Sequence, residues 1–76
     1  MNTFPRIRLD PNVIGGKPTV EGTRVTVGTI VGLIAAEHSI EEVLEAYPYL
    51  QREDVLAALA YAAWRSEEVE LALASS

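Results

Sequence analysis

The residues of this sequence able to do chemistry are few, and their spacing points to binding rather than catalysis. His38 is the one histidine and there is no cysteine. Thiol chemistry, disulfides and cysteine-based metal centres are therefore excluded, and a lone histidine has no second ligand with which to share a metal. His38 reads as a solvent-facing turn residue. Glu53-Asp54 and Glu67-Glu68 are carboxylate pairs, but general acid–base work needs carboxylates that face each other across a cleft, which chain neighbours do not. Gly15-Gly16-Lys17-Pro18 lacks the longer Gly-to-Gly-Lys-Ser/Thr spacing that wraps a triphosphate and reads as a turn. No catalytic residue, metal or cofactor is expected.

The cations tell more. Residues 1–26 hold Arg6, Arg8, Lys17 and Arg24 against Asp10 and Glu21, a net +2. From residue 27 onward only Arg52 and Arg65 stand against nine carboxylates, a net −7, so the overall charge of −5 conceals a basic beginning and an acidic remainder. Arg6, Arg8, Lys17 and Arg24 can either track a DNA backbone or answer the acidic helices within the fold. Arg24, placed between a turn and a strand, is the favoured nucleic-acid contact.

These side chains must be positioned by a single domain, residues 1–76, because a chain this short buries a modest core and gains stability from a second copy or a partner. The longest apolar run, Val55 to Trp64, is too short to span a bilayer, and Met1 to Arg6 lacks the apolar core of a secretory signal. A cytoplasmic location is expected. The predicted class is mainly α: three to four helices with a helix-turn-helix-like core over residues 27–65, a β arm or hairpin over 6–27, and a helical extension or frayed tail over 66–76.

Arg6-Ile7-Arg8-Leu9 alternates charged and apolar residues and predicts a strand with one wet face. Thr19-Val20, a Glu21-Gly22 turn and Arg24 to Val27 predict a small hairpin. The first helix is expected from an N-cap at Thr26 to about Ala36, with Val27, Ile30, Val31 and Ile34 as its buried stripe; Gly28 and Gly32 weaken it and would let another element approach closely. Ser39 and Glu42 form a capping box that opens the second helix, which Pro48 ends. The third helix, about Arg52 to Arg65, is apolar nearly all round, so one face packs inward and another meets a second subunit. Tyr47 and Tyr61 default to the core and Trp64 to an interface. Leu56, Tyr61 and Trp64 are the candidates where a homodimer or partner would meet this helix, and Val69 and Leu73 would carry its stripe onward.

Asp10-Pro11, Gly16-Lys17-Pro18, Gly22-Thr23-Arg24, Ser39-Ile40-Glu41-Glu42-Val43-Leu44-Glu45-Ala46-Tyr47-Pro48, Glu53-Asp54-Val55 and Ala57 to Ala62 occur in an order that resembles the bacterial family called domain of unknown function 433. The resemblance covers roughly residues 7 to 65. It implies a small helix-turn-helix protein placed beside a PIN-like ribonuclease: an antitoxin of a type II toxin–antitoxin pair that binds its own operator as double-stranded DNA. The family commonly has Gly where this chain has Glu37, and Thr or Ser where it has Gln51.

In a helix-turn-helix the first residues of the helix after the turn lie nearest the bases. Here they are Gln51, Arg52, Glu53 and Asp54. Two carboxylates would be repelled by phosphates, which leaves Arg52 as the one DNA-contact candidate there and the basic arm as the better surface. The acidic second helix, with Glu41, Glu42 and Glu45, could occupy the cationic substrate face of a ribonuclease by charge complementarity. Two other readings stay open: a non-catalytic protein-interaction module without DNA binding, and a stand-alone transcription regulator.

Overall fold

The computed structural model describes residues 4–74, with side chains to Glu67. Its order is β1 (Ile7–Arg8), a 3-10 turn (Ile14–Gly16), β2 (Thr19–Val20), α1 (Val27–Ala35), α2 (Ile40–Ala46) and α3 (Arg52–Ala74). The result is a mainly α domain with a small antiparallel β element at its N-terminal end.

β2 is the centre of that element. Ile7 pairs with Val20 and Arg8 with Thr19 on one side. On the other, Thr19 bridges Thr26, and the Val20 N–H donates to the Val25 carbonyl at 2.9 Å. Covered on both edges, Thr19 and Val20 are buried, and the Thr19 hydroxyl has no hydrogen-bond partner among the described residues. The predicted hairpin is present, and β1 is its pairing partner. The predicted first strand is shortened to two residues, and Leu9, placed by alternation on the apolar face, is 63% exposed. The cause is Asp10: its carboxylate accepts from the Asn12 N–H at 2.9 Å and its carbonyl from Val13 at 3.0 Å, so the chain turns before Leu9 can pair.

α1 starts where its chemistry predicts. The Thr26 hydroxyl accepts from the Thr29 N–H at 3.0 Å, and Val27 and Ile30 are buried with Val31 and Ile34 packed beside them. Its end is a Schellman motif: His38 N–H donates to Leu33 and Glu37 N–H to Ile34, both at 3.0 Å. This motif puts Glu37 at φ +74°, a left-handed conformation that suits glycine. The expectation that Gly28 and Gly32 admit a close neighbour is overturned. A Cβ at Gly32 would meet nothing within 4 Å, and one at Gly28 only the Thr26 hydroxyl at 3.9 Å, because both face outward.

The capping box opens α2 as predicted: Glu42 N–H donates to Ser39 Oγ at 3.1 Å and Ser39 N–H to Glu42 Oε1 at 2.8 Å. After Tyr47 the chain turns once, with Leu50 N–H donating to the Tyr47 carbonyl at 2.9 Å and the Leu50 side chain buried. α3 then begins without a Ser or Thr cap. Asp54 instead makes the reciprocal half of a capping box, its carboxylate accepting from the Gln51 N–H at 2.8 Å. α3 extends past the predicted Arg65 to Ala74; the proposed stripe of Val69 and Leu73 and the last two residues lie outside the described side chains. The core is Val20, Val25, Val27, Ile30, Val43, Leu50, Val55 and Ala58, drawn from the hairpin and all three helices, with α1 packed chiefly on α3. Cutting the fully buried Ile30 to Ala would cost about 2–5 kcal/mol, a large share of the stability of so small a domain.

Candidate functional site

The five cations singled out for DNA divide into two sets. Arg6 Nη1 lies 2.9 Å from Asp54 Oδ1 and 3.4 Å from Gln51 Oε1, joining the residue before β1 to the start of α3. Arg52 Nη1 lies 3.5 Å from Glu41 Oε2, linking α3 to α2 between exposed side chains. Both answer carboxylates inside the fold. The first turn of α3, the nominal recognition turn, therefore has Arg52 and Asp54 already engaged and adds the exposed carboxylate of Glu53. Such a surface attracts phosphate poorly.

Arg8, Lys17 and Arg24 form the second set. All three are exposed, and none has a carboxylate oxygen within 4 Å among the described residues. The backbone that carries Arg24 is held by its neighbours. The Thr23 hydroxyl donates to the Val20 carbonyl at 2.9 Å and accepts from the Val25 N–H at 3.0 Å, which ties both flanks of the hairpin tip. Gly22, at φ +81°, makes the turn possible. Arg24 lines a hollow of about 550 Å³ with Glu21, Gly22, Thr23 and Tyr49. Lys17 lines a second hollow, of about 470 Å³, with Pro18, Thr26, Gly28 and Thr29 at the start of α1.

The acidic side is α2. Glu41, Glu42 and Glu45 are all exposed. The Ser39 backbone N–H holds the Glu42 carboxyl below the usual carboxylate range, assisted by His38, whose Nδ1 lies 3.6 Å away. Glu45 has no cation within 4 Å among the described residues. No group of three or more His, Asp or Glu side chains able to hold a metal occurs among the described residues.

The aromatic candidates sit near the middle of α3. Tyr61 and Trp64 pack with Phe4, with ring centroids 5.3–5.8 Å apart and Phe4 edge-on to Tyr61. Trp64, expected at an interface, is thus half-buried by the chain's own N-terminal segment, while Leu56 stays 47% exposed beside exposed Ala60 and Ala63 on α3. Three side chains carry weight that sequence reasoning did not assign: Thr23 as the brace of Arg24, Asp54 as cap and ion-pair partner, and Phe4 as the third ring. For Thr23 and Asp54 there was a signal, a hydroxyl directly after the glycine of a turn and an acid three residues after a helix cap position. For Phe4 there was none.

Among the described residues no helix is long and apolar enough to cross a membrane. Over 56 residues the chain is 46% identical to an uncharacterized protein, y4eO, of Sinorhizobium fredii; the match takes in 74% of this chain and 25% of that protein. The chain thus spans about a quarter of the length of this curated relative. The crystal structure of a DUF433 member from Anabaena variabilis superposes with a TM-score of 0.77 at 32% identity, covering 91% of this chain and 68% of that one. Residues 7–62 match the family model described as protein of unknown function (DUF433), and with that match over most of its length the chain belongs to the DUF433 family.

Proposed function

We propose that this chain is the antitoxin-like member of a type II pair, binding a PIN-like ribonuclease through α2 and its own operator DNA through the hairpin. The observation that carries the reading is the separation of charge. Arg8, Lys17 and Arg24, on the β element and the turn before it, have no carboxylate within 4 Å among the described residues. By contrast, α2 exposes three carboxylates, of which Glu41 meets Arg52, Glu42 meets His38 and Glu45 meets no cation among the described residues. A ribonuclease presents a cationic face to its substrate, which an acidic helix can cover. A phosphate backbone is met by the cations left over. A homodimer formed on the exposed Leu56 side of α3, beside Ala60 and Ala63, would double those cations.

The test is titration of the purified chain against a labelled duplex of its own upstream region and a scrambled duplex, across a salt series. Preference for the native duplex, with affinity falling roughly a thousand-fold between about 50 and 200 mM salt, is the expected result for six or so phosphate contacts. No binding at low salt would remove DNA from the reading. In that event the protein-interaction module becomes the better account, and the internally neutralised first turn of α3 favours it specifically. Replacing Glu41, Glu42 and Glu45 together by Lys should abolish capture of the ribonuclease; unchanged capture would contradict the α2 assignment.

A further inference from the structure

The Arg24 hollow holds a chemistry that a phosphate contact does not use. Its five lining residues are Glu21, Gly22, Thr23, Arg24 and Tyr49. The Thr23 hydroxyl is committed to the backbone in both directions, and Gly22 contributes a bare wall where even a Cβ would find nothing within 4 Å. Three functional groups remain: a planar guanidinium, a planar phenol ring and one carboxylate. Tyr49 is 63% exposed, an unusual place for so much aromatic surface. It is nevertheless held in position. The turn that bears it is closed by the bond from Leu50 N–H to the Tyr47 carbonyl and anchored by the buried Leu50, and the Tyr47 ring stands edge-on to it at 6.2 Å and 70°. The backbone of Glu21 is held by its N–H, which donates to the Arg6 carbonyl at 2.8 Å.

A phosphate entering this hollow would meet Glu21 as well as Arg24, so repulsion offsets much of the attraction. A neutral planar group with N–H donors on its edge satisfies all three side chains. It can stack on the Tyr49 ring and the guanidinium plane while its edge donates to the carboxylate. In a duplex that edge is occupied by the complementary base, so the group must come from an unpaired nucleotide. We infer that the hollow takes a single unpaired nucleobase of a single-stranded nucleic acid, and that guanine fits best. Its neighbouring ring N–H and amino N–H donors match the two oxygens of Glu21, whereas thymine offers one donor between two acceptors that the carboxylate would repel. The site shares Arg24 with the duplex contact proposed above, so the two contacts are alternatives at this guanidinium.

The experiment measures fluorescence anisotropy of labelled single-stranded ten-nucleotide oligothymidylates carrying one central G, A, C or T, titrated with the full chain. The central-G oligomer should bind about ten-fold more tightly than the all-T oligomer. Glu21→Gln should bring the two within about two-fold of each other, and Tyr49→Ala should weaken all four about ten-fold or more. Both side chains are exposed, so thermal unfolding of each variant should match the parent and separate lost binding from lost folding. Equal affinity for the four oligomers, or no effect of Tyr49→Ala, would overturn the assignment. Binding to the upstream duplex alone, with no single-strand binding, would overturn it too while leaving the operator reading intact. Single-strand binding that survives loss of duplex binding would do the reverse.

Discussion

The hairpin tip and the first turn of α3 both place an arginine beside carboxylates, yet they end in opposite states. At α3, Arg6 and Arg52 are spent on Asp54 and Glu41, and Asp54 in addition caps the helix. At the hairpin, the polar work of holding the turn falls to Thr23 and the backbone, and Arg24 has no ion pair among the described residues. The difference shows that local charge counts are a poor guide to a binding face. Which charges remain available depends on which groups the fold uses to close its own hydrogen bonds.

The largest effect expected from this contrast is on stability at the α3 turn. Asp54→Ala removes the acceptor of the Gln51 N–H and the partner of Arg6, and should cost about 2 kcal/mol, or roughly 10 °C in Tm for a domain of this size. Asp54→Asn keeps the cap and should cost about half as much, whereas Arg24→Ala should stay within about 0.5 kcal/mol of the parent. Thermal unfolding of the three variants checks the order; a costly Arg24→Ala would erase the distinction between the regions.

A smaller effect separates the two regions by backbone. The hairpin has glycine at its left-handed position, Gly22 at φ +81°, but the end of α1 has Glu37 at φ +74°. Glu37→Gly should therefore stabilise by about 0.5 kcal/mol, and Gly22→Ala destabilise by about 1 kcal/mol, both read from denaturant midpoints. The smallest effect is on the acid side. The folded pKa of Glu42 lies below its ordinary 4.5 because the Ser39 N–H bonds its charged form. The stability it lends α2 is thus present above the unfolded value and is lost as pH falls through the lowered folded one. Glu42→Gln should flatten the acid limb of the helical signal slightly.

Much of the fold could be read from local chemistry. The Thr26 cap, the Ser39–Glu42 box, the Pro48 stop and the stripe of Val27, Ile30, Val31 and Ile34 all involve residues within one or two turns of each other, where type and spacing determine geometry. What could not be read needed contacts distant along the chain. Arg6 meets Asp54 across 48 positions, and Phe4 meets Tyr61 and Trp64 across the whole domain. Leu9 fell out of its strand because a turn two residues wide took priority over alternation. The site followed the same division: Arg24 stood out by its place between turn and strand, but its companionship with Tyr49 required the α2–α3 turn to fold back against the hairpin.

The proposed function has the hairpin, and not the first turn of α3, facing nucleic acid. Its most direct test compares charge reversals in the upstream-duplex titration at low salt, using Arg24→Glu and Arg52→Glu. Arg24→Glu should reduce affinity at least ten-fold and lower the steepness of the salt dependence, while Arg52→Glu should change affinity by no more than about two-fold. The opposite order, with Arg52→Glu abolishing binding and Arg24→Glu tolerated, would return recognition to the start of α3 and contradict the account.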